Sequence, residues 1–316
     1  MARPLMCPPA LLQKDLAGKT YVVTGGNSGI GLVTVEQLAK QGATVVLACR
    51  RPDEGEAKKS EIVGRGAKGE IVVMALDLAD LSSVRAFAAA FQEKFKTLHG
   101  LVNNAGIMNT PKGTTKDGFE SQFGTNHLGH YLLTELLLDV LKASAPSRVV
   151  CLSSCFHDKA MGRDGVIHFD DLNFTSRPYD GWDAYAQSKL ANLLHASHLA
   201  ERLKGTGVVA VSVHPGWVRT NLARASMPTW VQDIVLRPVF SLMGMIEPWE
   251  GTQTTLHALL ADDVVPGAFY SQLGTYREKA ANKGGWPLTS PNPNAHKPDD
   301  AKRLDVISRQ LVGLPA

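Results

Sequence analysis

Tyr185 and Lys189 stand four positions apart in a stretch of the chain with helical spacing. Residues i and i+4 share one face of a helix, so the Lys189 ammonium would lie close to the Tyr185 phenol. A nearby positive charge favours the phenolate and would lower the tyrosine pKa from about 10 toward neutral pH. The pair therefore predicts a general acid or base at Tyr185. The same spacing also arises often by chance, so a catalytic role for the pair needs support from other motifs in the sequence.

Two further positions extend this set. Ser153-Ser154 closes a β-branched run, and Asn126 stands on a preceding helical stretch. Together with Tyr185 and Lys189 these residues complete a plausible catalytic set. Which of the two serines would act stays open.

A glycine-rich turn near the N-terminus indicates a nucleotide. It follows a strand-like run and opens a helical stretch, which is the context that a dinucleotide fingerprint requires. Gly25 permits a tight turn, Gly29 a close approach of the pyrophosphate, and Gly31 close packing of helix on sheet. The phosphates would then sit at a helix N-terminus, although the G-x3-G-x-G spacing also fits a plain turn. The predicted contacts are Gly25, Asn27, Ser28, Gly29, Ile30 and Gly31.

Three strand ends add to this prediction. Arg50 directly follows the second strand, where an arginine accommodates a 2′-phosphate and so favours NADP(H) over NAD. The alternative is a solvated basic loop in which Arg50 and Arg51 pair locally with acidic neighbours. Asp77-Leu78 ends the third strand and could bind the adenine edge, whereas Asp80 and Ser82 fit a helix N-cap better. The fourth strand ends in Asn104, Ala105 and Gly106, small and amide residues that suit a ligand or a simple turn.

The elements that must position these residues alternate along the chain. Strand-like runs occupy 20–24, 44–49, 71–76, 100–103, 148–152 and 208–213, and helical stretches lie near 29–41, 53–64, 80–95, 118–143 and 183–204. This alternation predicts an α/β fold, a single Rossmann-type doubly wound parallel sheet of about seven strands with helices on both faces. We expect one domain over 1–316 with an irregular tail from about 275.

The composition narrows the class of protein. Lys and Arg number 33 against 30 Asp and Glu, and no basic run appears, so nucleic acid is not an expected partner. No apolar stretch is long enough for a membrane span. The N-terminus is short and interrupted by prolines, so it does not resemble a signal peptide, and a cleaved transit peptide stays an alternative. Cys49 and Cys151 lie in apolar runs and no CxxC occurs, which favours buried thiols and the cytoplasm or another reducing compartment.

In their order along the chain, these motifs resemble the short-chain dehydrogenase/reductase superfamily from about Gly18 to Pro266. The TGxxxGxG turn, Asn103-Asn104-Ala105-Gly106, the serine-rich strand end, YxxxK and Pro215-Gly216 carry the resemblance. The runs Ala48-Cys49-Arg50, Thr125 to His130 and Ser188 to Asn192 are similar to the retinol-dehydrogenase-like branch. Light-dependent protochlorophyllide reductases share parts of the pattern.

The resemblance implies roles for individual residues. Tyr185 would donate a proton to a carbonyl oxygen, Ser154 would bond that oxygen, and Lys189 would bond the nicotinamide ribose and tune Tyr185. Asn126 would hold a water that relays protons to Lys189, and Asn104 and Gly106 would line the cofactor cleft. The nicotinamide would be framed by Pro215, Gly216 and Trp217, with Thr220 near its carboxamide. Family dimers pair through helices near 118–143 and 183–204, so a homodimer is one expectation.

Other features allow more than one interpretation. The i, i+3 pairs His127/His130 and His195/His198 lack a suitable carboxylate partner, so packing is favoured over a metal. Residues 217–250 are apolar and methionine-rich, and they predict a substrate lid, an ordinary packed helix or a peripheral membrane contact. We expect an NADP(H)-dependent enzyme that interconverts an apolar aldehyde or ketone and its alcohol. The alternatives are a light-dependent protochlorophyllide-type reductase and a non-catalytic NADP-sensing or scaffold protein.

Overall fold

A seven-stranded parallel sheet forms the centre of the protein in a computed structural model that describes residues 3–218 and 245–315. The strand order is β3-β2-β1-β4-β5-β8-β9, and every neighbouring pair is parallel. The predicted fold class is confirmed. The strands are β1 (Thr20–Thr24), β2 (Thr44–Cys49), β3 (Ile71–Ala75), β4 (Gly100–Asn103), β5 (Ser147–Leu152), β8 (Val208–His214) and β9 (Phe269–Ser271). A separate two-residue hairpin pairs β6 (Lys159–Ala160) with β7 (Arg163–Asp164).

Helices cover both faces of this sheet because successive strand residues point to opposite sides. Val22 belongs to a core with the helices over 81–94, 129–143 and 181–202, whereas its neighbours Tyr21 and Val23 belong to a second core with the helices over 29–40, 52–64 and 248–260. Burial on both faces explains why the strands read as continuous apolar runs. The helices are α1 (Pro9–Leu12), α2 (Gly29–Lys40), α3 (Pro52–Gly64), α4 (Leu81–Lys94), α5 (Ser121–Phe123), α6 (Gly129–Ala143), α7 (Gly181–Arg202), α8 (Pro248–Leu260) and α9 (Pro298–Leu311).

The chain reverses its direction of progress across the sheet between β1 and β4, which are neighbours. A ligand crevice forms outside the carboxyl ends of the strands at such a switch point. The strands are parallel and in register, so the loops after Thr24, Asn103, Leu152 and His214 all leave the same edge of the sheet. Every predicted site motif in the described residues therefore lies at or near one edge.

The predicted helix over 118–143 begins instead at Ser121, and a π-helical turn (Gly124–Leu128) interrupts it between α5 and α6. A Cβ at Gly124 would lie 2.4 Å from the side chain of Thr115, so the turn packs closely on the preceding loop. Such turns occur often at functional sites. This one carries Asn126.

The C-terminal part of the chain is more ordered than its Gly, Pro and Asn content indicates. Two 3₁₀ turns (Lys279–Lys283 and Pro293–His296) interrupt the tail, and helix α9 follows them. Neither α8, α9 nor strand β9 was predicted individually. Helix α9 packs against α7, and Asp305 on α9 accepts hydrogen bonds from Arg202 of α7 and Tyr131 of α6.

The four cysteines Cys7, Cys49, Cys151 and Cys155 are free and buried, so the prediction of buried thiols is confirmed. Within residues 3–218 and 245–315, no helix combines the length and apolar character that a membrane span needs.

Candidate active site

The turn between β1 and α2 has the backbone geometry that its glycines predict. Gly25 and Gly29 adopt φ values of +65° and +53°, in the left-handed region that favours glycine. A Cβ at Gly31 would lie 2.4 Å from the carbonyl oxygen of Gly25 and 2.5 Å from Asn104 Nδ2. The side chain of Ser28 precedes α2 without capping it. The turn therefore fits the pyrophosphate of a dinucleotide, which the helix N-terminus would attract.

The loop after β4 is tied to this turn through Thr24. The Thr24 hydroxyl oxygen accepts the backbone N–H groups of Asn104 and Ala105, each at 2.9 Å. Asn104 Nδ2 donates to the carbonyl oxygen of Thr24 at 2.6 Å. The amide of Asn104 thus fixes the two loops relative to each other.

The two arginines after β2 differ in their surroundings. Arg51 forms an ion pair with Glu54 at 2.9 Å, and Glu54 also accepts a hydrogen bond from Asn27 of the glycine turn at 3.1 Å. Arg50 is exposed and forms no hydrogen bond or ion pair within the residues that the structure describes. The local-pairing alternative therefore applies to Arg51, and the Arg50 guanidinium remains available for an anion.

Asp77 and Leu78 lie at the same edge but are engaged by their own loop. Asp77 Oδ1 accepts the backbone N–H of Ala79 at 3.0 Å, and Leu78 is buried against Gly129 of α6. The N-cap of α4 is Asp80, whose carboxylate accepts from Ser82 and Ser83. Asp77 retains a second carboxylate oxygen for a ligand.

The two serines after β5 have different partners. The Ser153 hydroxyl donates to the carbonyl oxygen of Lys189 on α7 at 2.7 Å, and this holds strand and helix together. Ser154 Oγ accepts the backbone N–H of Phe156 at 3.2 Å. Burial raises the pKa of Tyr185 and the Ser154 hydroxyl opposes this rise, which places Ser154 beside the phenol.

Tyr185 and Lys189 share a face of α7, with Lys189 Nζ 5.5 Å from the centre of the Tyr185 ring. Lys189 Nζ donates to the carbonyl oxygen of Leu152 at 3.1 Å. Both side chains are buried, at 8% and 4% exposure.

Burial dominates the protonation of this pair. It raises the pKa of Tyr185 above its ordinary value, against the opposing effect of the Ser154 hydrogen bond. Burial also lowers the pKa of Lys189 to about 8. The pKa of Tyr185 is therefore raised, and not lowered toward neutrality as its spacing to Lys189 predicts.

Asn126 joins the π-helical turn to the site. Its side chain exchanges two hydrogen bonds of 2.9 Å with the backbone of Ile107, and Nδ2 also donates to Ser188 Oγ at 2.9 Å. A Cβ at Gly106 would lie 3.1 Å from Asn126 Oδ1 and 3.5 Å from Lys189 Nζ. Gly106 therefore lies close to both side chains, and its lack of a side chain leaves space beside the ammonium.

His130 is a member of this network that the sequence assigned to packing. Its Nδ1 lies 3.0 Å from the carbonyl oxygen of Asn126, and its Nε2 lies 2.9 Å from Thr24 Oγ1. A carbonyl only accepts, so Nδ1 carries the proton, and burial lowers the pKa of His130 to about 3. The neutral ring connects the glycine turn to the π-helical turn. The sequence carried one sign of this role, because His130 stands four positions after Asn126 and therefore shares a helix face with it.

The residues after β8 complete the edge. Gly216 has φ +94°, and a Cβ there would lie 2.7 Å from Ile246. The backbone N–H of Ile246 donates to the carbonyl oxygen of Trp217. The Trp217 residue is 44% exposed. Pro215 lies next to α8. Thr220 and most of the predicted lid over 217–250 lie outside the described residues.

His127 and His195, one member of each predicted pair, are engaged in packing. His127 Nε2 bonds Ser308 Oγ of α9 at 2.8 Å, and His195 lies edge-on to the His127 ring. In the part of the chain that the structure describes, no group of three or more potential ligands could hold a metal ion.

Comparisons with known proteins agree with this geometry. The family model described as short chain dehydrogenase matches residues 19–167. Human retinol dehydrogenase 13 is 42% identical over 98% of this chain and 88% of its own length. Mouse retinol dehydrogenase 11 is 48% identical over 95% of this chain and 88% of its own length. The crystal structure of an uncharacterised protein from Mycobacterium paratuberculosis is 36% identical, with a TM-score of 0.74 over 96% of this chain and 97% of that one.

The sheet, the glycine turn and the similarity over nearly the whole chain define the class: the chain belongs to the short-chain dehydrogenase/reductase family, whose members are oxidoreductases that use nicotinamide cofactors. Within the family it lies in the retinol-dehydrogenase-like branch.

Proposed function

We propose that this protein is an NADP(H)-dependent oxidoreductase that interconverts an apolar aldehyde or ketone and its alcohol, with Tyr185 as the general acid or base. The observation that carries the proposal is the arrangement of Ser154 around Tyr185. Ser154 Oγ accepts Phe156 N–H, and the Ser154 hydroxyl lies close enough to Tyr185 to oppose the effect of burial on the pKa of the phenol. A carbonyl oxygen bound between these two hydroxyls would receive a hydrogen bond from one and a proton from the other.

A nicotinamide cofactor supplies or accepts the hydride when bound. The glycine turn at Gly25 to Gly31 would hold its pyrophosphate, and Gly106 leaves space for it beside Lys189. Lys189 Nζ would bond the ribose hydroxyls and supply positive charge near Tyr185. Further cofactor contacts are proposed because their residues lie at the same edge of the sheet as the glycine turn. These residues are Asp77, Leu78, Pro215, Gly216 and Trp217.

The protonation of Tyr185 fits the role of a proton donor in reduction, because burial raises the pKa of its phenol. A neutral phenol can donate its proton to a developing alkoxide, whereas alcohol oxidation requires the phenolate. Positive charge brought near Tyr185 would lower its pKa and permit the reverse direction.

The substrate class rests on the relatives. The proteins that match nearly the whole chain are named retinol dehydrogenases, and retinol is an apolar primary alcohol. The rings of Phe156 and Trp182 stand edge-on to Tyr185, with centroids 6.2 Å and 6.5 Å away. These aromatic surfaces would suit an apolar carbonyl compound.

A homodimer and a peripheral membrane contact stay predictions. Helix α9 packs against α7 and bonds Tyr131 of α6, so a dimer through α6 and α7 would have to use the surface that α9 leaves open.

The proton-transfer role is tested by Tyr185→Phe in an assay of NADPH oxidation with retinal, long-chain aldehydes, quinones and steroids. Turnover should fall to background while the Kd for NADPH changes by less than about threefold. Tyr131→Phe is the matched control, because it removes another largely buried phenol, whose hydroxyl bonds Asp305. Turnover by Tyr185→Phe at a rate close to that of the wild type would refute the mechanism.

Cofactor selectivity is tested by Arg50→Ala against Arg51→Ala. Loss of a charge-assisted bond to a 2′-phosphate should weaken NADPH by about 10-fold or more and leave NADH nearly unchanged. Arg51→Ala should have the smaller effect, since Arg51 is paired with Glu54. Equal weakening of both cofactors in Arg50→Ala would contradict the assignment.

A further inference from the structure

The turn that follows Ser154 contains a buried histidine that the proposed mechanism does not use. His157 ends the 3₁₀ turn Cys155–His157 and has no exposed surface. Its Nδ1 lies 2.5 Å from the carbonyl oxygen of Ser154, and its Nε2 lies 2.6 Å from Ser290 Oγ. Because a carbonyl only accepts, Nδ1 carries the ring proton. Burial lowers the pKa of His157 to about 4, so the ring is neutral and Nε2 accepts the Ser290 hydroxyl proton.

Ser290 is itself fixed by its neighbours in the tail. Its Oγ accepts the backbone N–H of Asn292 at 3.2 Å, and its carbonyl oxygen accepts from His296 Nε2 at 2.6 Å. Asn292 Nδ2 donates to the carbonyl oxygens of His157 at 2.6 Å and Gly165 at 2.9 Å. The tail therefore bonds both the ring and the backbone of His157.

A second attachment lies one residue further along the turn. The Asp158 carboxylate is buried and accepts the backbone N–H of Arg277 at 2.8 Å and its Nε at 2.9 Å. The Arg277 guanidinium also donates to the carbonyl oxygen of Asp158 and to Asp164. We call residues 277–296 the C-terminal strap, since they fasten the turn after Ser154 at two consecutive residues.

Ser154 takes its orientation from this turn. Its Oγ accepts Phe156 N–H, and its carbonyl oxygen accepts both the backbone N–H of His157, at 3.0 Å, and the ring Nδ1. The carbonyl oxygen of Ser154 is thus set by His157, which the strap holds, and its Oγ by Phe156, the residue before His157. A rotation of the turn would move the hydroxyl that faces Tyr185.

We propose that His157 is a positioning residue for Ser154 and that the C-terminal strap holds it through Ser290. The inference rests on the proposed function, in which Ser154 binds the reacting oxygen. A purely structural histidine would need only to fill its space beside Phe269 and Tyr276, whose rings lie 5.0 Å and 6.3 Å away. A positioning histidine must instead keep a donor at Nδ1.

Two amide substitutions separate these roles. Asparagine places its amide near the position of Nδ1 and can keep the bond to Ser154, whereas glutamine reaches the position of Nε2 and keeps only the bond to Ser290. Both replace a buried aromatic ring by a smaller polar group, so each should lower the unfolding temperature to a similar extent. The two variants therefore differ in which bond they keep: His157→Asn keeps the donor to the Ser154 carbonyl, and His157→Gln keeps the bond to Ser290.

The experiment compares kcat, KM and the Kd for NADPH of the full chain and its variants, with NADPH oxidation as the readout. We expect His157→Gln to lose about 10-fold or more in kcat, since small misplacement of a catalytic group is costly. His157→Asn should recover most of that loss, and both should bind NADPH as the wild type does. Ser290→Ala should lower kcat severalfold with KM nearly unchanged.

Wild-type kcat in a folded His157→Gln protein, or equal kcat losses in the two amide variants, would overturn the proposal. If either variant fails to fold, Ser290→Ala decides, because it removes one hydroxyl and leaves the ring in place. Unchanged kcat in Ser290→Ala would then refute the role of the strap. An inactive wild type would instead remove the proposed function, which this design distinguishes from failure of the positioning role alone.

Discussion

Replacing Lys189 by methionine should make the cofactor-free protein more stable while it abolishes turnover. Burial holds the pKa of Lys189 at about 8, compared with 10.5 for an unperturbed lysine. At about 1.4 kcal/mol per pH unit, keeping this group charged in the folded protein costs about 3 kcal/mol at pH 7. Methionine is of similar length and carries no charge, so the variant avoids that cost.

The substitution leaves no buried acceptor without a partner. The carbonyl oxygen of Leu152, which accepts from Lys189 Nζ, also accepts from Asn192 Nδ2 at 2.9 Å. The loss of one net hydrogen bond would offset about 1 kcal/mol of the gain. A net gain of about 2 kcal/mol at pH 7 is therefore expected, and a site that keeps a destabilising group for activity is a common compromise.

The pH dependence gives the sharper test. The folded-state pKa of Lys189 is depressed, so between pH 8 and 10.5 the unfolded chain binds more protons than the folded protein. The free energy of unfolding of the wild type should therefore rise with pH relative to that of Lys189→Met. The part of their difference that comes from the charge on Lys189 should disappear by about pH 10.5, where the unfolded chain also loses this proton.

Urea denaturation of both proteins from pH 7 to pH 10 measures this difference, because other titrating groups cancel between them. Lys142→Met is the control, since Lys142 is exposed at the end of α6 and should give a small difference without this pH trend. A Lys189→Met variant that is less stable than the wild type at pH 7, or a gap that does not change with pH, would refute the reasoning.

Two further predictions follow from local geometry. Gly31→Ala should lower the free energy of unfolding by about 1–3 kcal/mol and weaken NADPH binding, because its Cβ would lie 2.4 Å from the Gly25 carbonyl oxygen. Gly64→Ala is the control and should not destabilise the protein, because no atom lies within 4 Å of the added Cβ. Equal thermal unfolding of the two variants would contradict the packing argument. Ser154→Ala should lower kcat about 100-fold or more, whereas Ser153→Ala should cost about 1 kcal/mol of stability with little loss of kcat. The reverse order of kcat effects would show that Ser153 is the serine that acts.

The sequence by itself determined the architecture and the order of the motifs. Continuous apolar strands alternating with helical stretches are compatible with few folds other than a parallel sheet covered on both faces. Once the strands are parallel, the loops after β1, β4, β5 and β8 must leave one edge, so Gly25, Asn104, Ser154 and Pro215 come together without further information. Local spacing also placed Tyr185 beside Lys189 on one helix.

Tertiary structure decided what depends on burial and on partners distant in the chain. The pKa of Tyr185 rises because the surrounding core removes water, an effect that the spacing to Lys189 could not convey. The different partners of Ser153 and Ser154 follow from which hydroxyl meets the backbone of α7. His157 gained a role only through Ser290, 133 positions away, and a single sequence carries no sign of such a contact. Hydrogen-bond partners across the fold are set by packing, and packing is a property of the folded chain as a whole.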